Sequence, residues 1–194
     1  LEDATPTRYS SFIYDSKGNQ MAKLIAEDSN RVPVTMDQIP TDLANAFVAI
    51  EDERFYQHNG IDIMGILRAG VTAVKTGFKR QEGASTITQQ LIKQTVLSSE
   101  QSYKRKLQEA YLAMELETRY TKKQILESYL NTIFLGGSYY GVRVAAYGYF
   151  GKELDQLTLR ECALLAGLTR SPNYYNPRSN FYTRNTAGSS TPDI

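Results

Sequence analysis

EDERFYQHNG, at residues 51–60, directly follows the apolar run LANAFVAI at residues 43–50. The apolar run predicts a helix with one buried face, and Gly60 is expected to end it. The three carboxylates at residues 51–53 then lie toward the C-terminal end of that helix, where its dipole does not favour negative charge. Their placement indicates nearby cations or a functional role; a solvated polar helix end is the alternative.

The composition is that of an ordinary globular protein. The chain has 194 residues, enough for one domain or a two-lobed one with a real core. Because the net charge is only +1, an anionic partner has to be sought in local clusters, and no nucleic-acid partner is expected. The one cysteine, Cys162, excludes an internal disulfide and is expected to be buried. No run approaches the roughly 18 apolar residues of a membrane span, and the N-terminus has no signal-peptide layout.

Most of the remaining chain predicts helices. Residues 12–14 and 21–25 flank a Gly-Asn turn and predict a β-hairpin. Thr121 and Thr158 each open a capping box, the pattern in which a hydroxyl and a side chain three residues later cap a helix. Behind Thr121 an apolar stripe at helical spacing predicts core. Its members are Ile125, Leu126, Tyr129, Leu130, Ile133 and Phe134.

Residues 61–80 combine apolar side chains with four cations and one acid, which predicts a cationic amphipathic helix or a broken pair of helices. One interpretation is a helix whose apolar face packs on the core. The other is a segment that rests in a membrane interface, where Lys and Arg meet anionic lipid and the apolar face enters the acyl boundary.

GASTITQQLIK, at residues 83–93, predicts the start of another helix, because Thr86 and Gln89 have capping-box spacing. The first amides of such a helix, with the Ser85 and Thr86 hydroxyls beside them, suit an oxyanion such as phosphate. Gln89, Gln90 and Lys93 follow along roughly one face.

Lys104, Arg105 and Lys106 open the next predicted helix, and Glu109 lies one turn after Arg105. The simplest explanation of this pair is a surface ion pair worth at most about 1 kcal/mol. Apolar residues are expected to bury the rest of this helix: Leu107, Ala110, Tyr111, Met114 and Leu116.

Two carboxylates on separate helices, Glu51 and Glu109, together with scattered cations resemble a glycosyl-transfer site. One carboxylate takes a proton from an incoming hydroxyl, and cations stabilise a departing pyrophosphate. A single histidine cannot build a two-His metal motif, and the aspartates form no D-x-D pair. The candidate cations are Lys93, Arg105, Lys106 and Arg170.

The chain closely resembles the peptidoglycan glycosyltransferase family, the N-terminal catalytic domain of bifunctional class A penicillin-binding proteins. Six runs match in family order between residues 51 and 177: EDERFYQHNG, GASTITQQLIK, RKLQEAY, KKQILESYLN, YGVRVAAYGYFGK and LLAGLTRSPNYYNP. Gln94 departs from the family, which usually has Asn after the Lys, and only local adjustment is expected from it.

The resemblance implies a mainly α, lysozyme-like two-lobed fold of head and jaw, with a short N-terminal β element. The implied organisation is an extended segment or β-hairpin at 1–40, the glycosyltransferase domain at 41–178 with a membrane-facing jaw at about 61–82, and a linker at 179–194. The full-length chain is expected to carry a transpeptidase domain. It is expected to be anchored at the extracytoplasmic face of the bacterial cell membrane by an N-terminal transmembrane helix.

The resemblance also implies the reaction and the residues. Lipid II and the growing glycan chain would be the substrates, joined through a β-1,4 bond with inversion. Glu51 matches the general base, Glu109 a second glutamate near the donor, and Lys93, Arg105, Lys106 and Arg170 the phosphate-binding cations. The donor groove matches Ser85, Thr86, Gln89 and Gln90, and the residues that shape the site match Asp52, Phe55, His58 and Gly83.

No cofactor is expected to be required, although Mg²⁺ or Mn²⁺ can assist some family members, and phosphoglycolipids of the moenomycin type are expected inhibitors. His58 has a structural interpretation beside any role as proton carrier. Two other functions fit parts of the pattern. A muramidase or lytic transglycosylase shares the fold and an essential glutamate, but does not need the cations. A non-catalytic lipid-pyrophosphate binding module would not favour carboxylates beside its anion.

Overall fold

The computed structural model describes residues 11–14, 16–24, 31–77, 83–96 and 102–178. Within these ranges the chain forms seven α-helices, three 3-10 turns and one two-stranded sheet. The mainly α fold class with a short N-terminal β element is therefore confirmed. Parts of the predicted N-terminal segment (1–10), jaw (78–82) and linker (179–194) lie outside the described residues, and the predicted domain limits stay predictions.

The elements follow one another in short steps along the chain. Strands β1 (Ser11–Tyr14) and β2 (Gln20–Leu24) pair antiparallel, with Ser11 opposite Leu24, and form the expected hairpin. The helices are α1 (Thr41–Glu51), α2 (Ile63–Lys75), α3 (Ile87–Thr95), α4 (Tyr103–Arg119), α5 (Lys122–Thr132), α6 (Val142–Phe150) and α7 (Leu159–Leu168).

The chain divides into two compact units. The first is built from the described residues between 47 and 129, and the second from those between 11 and 46 together with 130–178. The first unit buries the large side chains of Phe47, Phe55 and Tyr129 completely. Each such burial stabilises the fold by roughly 1.5–3 kcal/mol. The apolar stripe predicted on α5 is buried from Ile125 to Ile133, so that part of the sequence pattern is confirmed.

The second unit is fixed by polar contacts between distant segments. Asn131 accepts a hydrogen bond from the Val34 amide at 2.8 Å and donates one to the Val34 carbonyl at 2.7 Å.

The capping box at Thr158 is present, because Thr158 Oγ1 accepts from the Glu161 amide and the Glu161 carboxylate accepts from the Thr158 amide. The lone cysteine, Cys162, is buried, as expected.

Helix α1 ends at Glu51 and not near Gly60 as predicted. The last helical bond runs from the Asp52 amide to the Val48 carbonyl, and the chain then turns through a short 3-10 segment at Phe55–Gln57. Gly60 has φ +88°, but it caps no helix. Just after this end the Asp52 side chain bonds to a distant helix, as described below, and a local sequence pattern does not show such a contact.

Burial was also overestimated on two helices. On α2 the apolar side chains are exposed, including Ile63 at 68% and Val74 at 71%, so the core-facing interpretation is wrong. On α4 Leu107 is 73% exposed, and Tyr111 and Met114 are exposed as well, whereas Leu116 is buried as predicted. Helical periodicity shows that a helix has an apolar face, but it does not show that another element covers that face.

Candidate active site

Asp52 connects the end of α1 to the start of α3. Its Oδ2 accepts a hydrogen bond from the Ile87 amide at 3.0 Å, and both carboxylate oxygens lie 3.0 Å from His58 Nε2. Ile87 is the first residue of α3, so the carboxylate lies where the partial charge of that helix is positive. An acid that is unfavourable at the end of its own helix is thus stabilised at the beginning of another.

The environment of Asp52 has opposing effects on its ionisation. Burial raises the pKa of the Asp52 carboxyl above its usual 3.8 and outweighs the lowering effects. Those effects come from the hydrogen bonds of His58 and Ile87 and from the charges of His58 and Lys122. The other ring nitrogen of His58, Nδ1, is buried with no hydrogen-bond partner. The hydrogen-bond contacts that the structure describes for His58 are thus those with the Asp52 carboxylate.

Beneath this segment lies a buried network that the sequence patterns did not reveal. Lys122 Nζ lies 4.4 Å from the centre of the fully buried Phe55 ring and 2.6 Å from Glu117 Oε2. Thr88 Oγ1 donates to the other Glu117 oxygen at 2.5 Å. The capping box that begins α5 was recognised from sequence, but nothing in it indicated that Lys122 would reach Phe55. The predicted site-shaping roles of Phe55 and His58 stay predictions.

Gly60 fixes the far end of the segment. A Cβ at this position would lie 2.6 Å from the carbonyl carbon and oxygen of Ala113 on α4, so only glycine allows the approach. The Gly60 carbonyl also accepts a hydrogen bond from Thr86 Oγ1 at 2.6 Å. Residues 52–60 are thus joined at both ends to the N-terminus of α3, at Ile87 and at its N-cap Thr86.

The Glu51 carboxylate is held at the end of α1 by a side chain from α3. Gln90 Nε2 donates to Glu51 Oε2 at 2.5 Å, and Glu51 itself is half-buried. A pocket of about 120 Å³ opens beside it, and its lining includes Glu51, Asp52, Arg54, Gly83 and Ser85. The predicted base therefore lines a cavity and is oriented by an amide.

An ion pair between Arg54 and Asp62 is part of the lining of this pocket. Arg54 Nη2 donates to both Asp62 oxygens, at 2.5 and 2.6 Å, and Asp62 Oδ1 accepts from the Gly65 amide at the start of α2. Partial burial alone would raise the pKa of the Asp62 carboxyl, but these hydrogen bonds and the Arg54 charge lower it overall. Asp62 therefore stays ionised as the cap of α2.

Cations gather in a second pocket of about 270 Å³. It is lined by Ser85, Gln90, Lys93, Gln94, Arg105, Lys106 and Glu109. Glu109 is only 2% exposed, and Lys106 Nζ donates to it while also donating to Ser85 Oγ at 3.0 Å. The prediction of a surface ion pair at Glu109 is wrong about the surface, because the carboxylate is buried; the ion-pair partner described for it is Lys106.

Ser85 lines both pockets, and so the two adjoin within the first unit. Gln90 connects them as well, since its side-chain amide donates to Glu51 and the same residue lines the pocket of cations. The structure thus brings together the predicted base, the second glutamate and three of the four predicted cations. Arg170 belongs to the second unit, where it lies exposed just after α7.

Thr86 and Gln89 are buried and engaged in capping α3. Thr86 Oγ1 accepts from the Gln89 amide and Gln89 Oε1 accepts from the Thr86 amide, each at 3.1 Å. This confirms the predicted capping box. The oxyanion bound by the first amide of α3 is the carboxylate of Asp52. The predicted substrate-binding roles of Thr86 and Gln89 stay predictions.

A family model described as transglycosylase matches residues 17–190. The chain belongs to the transglycosylase family. The resemblance seen in the sequence is thereby confirmed, as is the predicted class of enzyme.

Two relatives share close to half of their aligned residues with this chain. Penicillin-binding protein 1A of Clostridium botulinum is 48% identical over 178 residues, which cover 90% of this chain and 21% of that protein. Penicillin-binding protein 1A of Escherichia coli is 49% identical over 165 residues, covering 85% and 19% respectively. A crystal structure of penicillin-binding protein 1A from Haemophilus influenzae matches with a TM-score of 0.43 and 26% identity, covering 90% of this chain and 16% of that one.

The chain spans about a fifth of the length of the curated relatives it matches. In the part of the chain that the structure describes, none of the helices has the length and apolar character needed to cross a membrane.

Proposed function

We propose that this chain is a peptidoglycan glycosyltransferase that polymerises lipid II into β-1,4-linked glycan strands and releases undecaprenyl pyrophosphate. One observation carries the proposal: the pocket at Glu51 adjoins, through Ser85, a pocket lined by three cations and Glu109. A base for an incoming hydroxyl and an electrostatic site for a departing diphosphate are thus neighbours. Membership of the transglycosylase family and the similarity to penicillin-binding proteins 1A support it.

Glu51 acts as the general base in this proposal. Its carboxylate takes the proton of the acceptor GlcNAc 4-hydroxyl while that oxygen forms a bond to C1 of the donor MurNAc. The bond between C1 and the diphosphate oxygen breaks, and its electron pair leaves with the diphosphate. Displacement from the opposite face inverts the configuration at C1, as in inverting glycosidases. The half-buried position of Glu51 at the mouth of a pocket suits this contact.

Lys93, Arg105 and Lys106 receive the diphosphate in this proposal, with Arg170 as the fourth cation that the family resemblance implies. Negative charge on the leaving oxygen grows as the bond breaks, so fixed cations stabilise the transition state more than the ground state. The leaving group is already anionic, and a general acid is therefore not required. Glu109 orients Lys106 toward this site, and Ser85, Gln90, Thr86 and Gln89 border the donor.

The exposed apolar face of α2 supports a membrane-interface role for residues 61–82. Six large apolar side chains of this helix are exposed: Ile63, Met64, Ile66, Leu67, Val71 and Val74. Such a face, next to Arg68 and Lys75, suits the boundary between headgroups and acyl chains. This placement fits a lipid-linked substrate, an anchor helix and a transpeptidase domain in a longer chain, acting at the extracytoplasmic face.

Membrane binding is tested with vesicles. The double variant Met64→Gln/Leu67→Gln should bind anionic vesicles at least about tenfold more weakly than wild type, because it removes apolar area from the membrane-facing side. A matched pair on α4, Leu107→Gln/Tyr111→Gln, serves as the control for general loss of apolar surface. Equal losses in both double variants would contradict a specific role for α2.

The activity is tested with purified lipid II and with purified sacculi in parallel. Wild type should form glycan polymer from lipid II and leave sacculi intact, whereas Glu51→Gln should bind lipid II without forming polymer. Cleavage of sacculi would indicate a muramidase or lytic transglycosylase instead. Lipid II binding by wild type without turnover would indicate a binding module.

Two further arms examine the cofactor and the inhibitor. Since the proposal assigns the diphosphate to Lys and Arg, polymerisation should persist in a chelator, with Mg²⁺ or Mn²⁺ giving stimulation at most. A phosphoglycolipid of the moenomycin type should compete with the lipid II donor, because its phosphate and glycan match the same pocket chemistry. Complete loss of activity in the chelator would show that a divalent cation is required.

A further inference from the structure

Tyr129 belongs to the buried apolar stripe on α5, and its hydroxyl contacts a residue of the candidate site. Its ring is fully buried and meets the Phe47 ring edge-on, with centroids 6.3 Å apart at 77°. Its hydroxyl lies 3.3 Å from Gln90 Oε1 and donates a hydrogen bond to it. Residues at this spacing were interpreted from sequence as core alone, but this one also has a polar end directed at α3.

The contact selects the orientation of the Gln90 amide. Gln90 presents Oε1 to the Tyr129 hydroxyl and Nε2 to Glu51 Oε2, at 2.5 Å. The opposite orientation would place the amide oxygen against a carboxylate oxygen, which has no proton to donate. The carboxylate, which only accepts, and the Tyr129 hydroxyl, which donates here, therefore favour the same orientation of the Gln90 amide.

Tyr129 can fill this role only while its hydroxyl keeps its proton. Burial raises the pKa of the Tyr129 hydroxyl well above its usual 10.0, and the negative charges of Glu51 and Asp52 raise it further. The group therefore remains a neutral donor across the physiological range. Its packing adds a second constraint, because Phe47 lies one turn before Glu51 on the same face of α1.

We propose that Tyr129 is a positioning residue for the base. Through Gln90 it holds the Glu51 carboxylate in the direction from which the acceptor hydroxyl arrives, and through Phe47 it holds the helix that carries Glu51. This inference rests on the proposed role of Glu51. It adds to that role a control of orientation from a residue that does not touch substrate.

The test is a double-mutant cycle on polymerisation kinetics. Tyr129→Phe keeps the ring and removes only the hydroxyl, so kcat should fall about five- to tenfold while KM for lipid II stays within about twofold. In a Gln90→Ala background the same substitution should have almost no further effect, because its route to Glu51 is already gone. The matched control is Tyr149→Phe, which removes a hydroxyl bonded to the Leu135 carbonyl in the second unit and should leave kcat unchanged.

The comparison of kcat in the two backgrounds separates this role from a purely structural one. A fall in kcat of equal size in the wild-type and Gln90→Ala backgrounds would overturn the proposal, as would an unchanged kcat in Tyr129→Phe. If Tyr129→Phe is too unstable to assay, Gln90→Ala alone must lower kcat, and an unchanged kcat there also overturns it. Full activity in Glu51→Gln would instead refute the proposed function, whatever Tyr129→Phe does.

Discussion

Glu51 and Glu109 are the same type of side chain in neighbouring pockets, but their surroundings differ. Glu51 is half-buried at the end of a helix and is held by the amide of Gln90, whereas Glu109 is almost completely buried and is held by the ammonium group of Lys106. The Gln90 amide is a neutral hydrogen-bond donor, whereas the Lys106 ammonium group also balances the charge of the carboxylate that it binds. In the proposed mechanism the two carboxylates have separate roles: Glu51 accepts a proton, and Glu109 fixes the cation of Lys106. In other enzymes as well, different surroundings give two carboxylates different catalytic roles.

The largest expected effect comes from removing each carboxylate charge in turn. Glu51→Gln should reduce polymerisation by about 10²–10⁴-fold with lipid II binding retained, since general base catalysis supplies roughly that factor. Glu109→Gln should cost clearly less, about tenfold, and should act mainly on KM for the donor because Lys106 loses its partner. Steady-state kinetics with a donor and a separate acceptor checks both. Equal losses in kcat for the two variants would remove the contrast between the pockets.

A smaller effect is expected from the cations. Lys106→Met should raise KM for the donor about tenfold, the amount that loss of one hydrogen bond to a charged group produces. Lys93→Ala and Arg105→Ala should likewise weaken donor use more than acceptor use. Lys123→Met, an exposed lysine on α5, is the matched control. Wild-type donor kinetics in all three site variants would refute the diphosphate assignment.

The smallest effect is a pH dependence of stability that originates beside Glu51. Burial raises the pKa of the Asp52 carboxyl above 3.8 in the folded protein, so between 3.8 and the raised value the folded state holds more protons than the unfolded state. The free energy of unfolding that Asp52 contributes therefore falls as pH rises through that window. Relative to Asp52→Asn, wild type should therefore become progressively less stable as the pH rises through this window.

Urea denaturation of both proteins, from below pH 3.8 to neutrality, measures this difference. Parallel stability curves would show that the hydrogen bonds from His58 and Ile87 offset the burial of Asp52 completely.

Local patterns predicted the helix starts well. The capping boxes at Thr86, Thr121 and Thr158 are all present, because a cap joins groups only three residues apart and needs nothing from the rest of the fold. The same locality explains the hairpin of β1 and β2. The predictions that failed concern longer distances: α1 ends at Glu51, beside Asp52, whose carboxylate bonds to Ile87, 35 residues away.

Whether the apolar face of a helix is buried was harder to predict than where the helix begins. The stripes on α2, α4 and α5 have similar apolar spacing, but only the stripe on α5 is largely buried. Lys122 and Tyr129 were missed as neighbours of the site for a related reason. One appeared in a capping pattern and the other in a core pattern, and neither pattern reports what the far end of the side chain touches.

The sequence by itself determined the helical character, the helix starts, the family and the candidate residues, because these follow from local hydrogen bonding, side-chain periodicity and ordered motifs. Only the tertiary structure decided that Gln90 holds Glu51, that Lys106 neutralises a buried Glu109, and that Ser85 joins their pockets. Such contacts connect residues up to 39 positions apart. Which of several like groups pairs with which depends on how α1, α3 and α4 pack within the first unit.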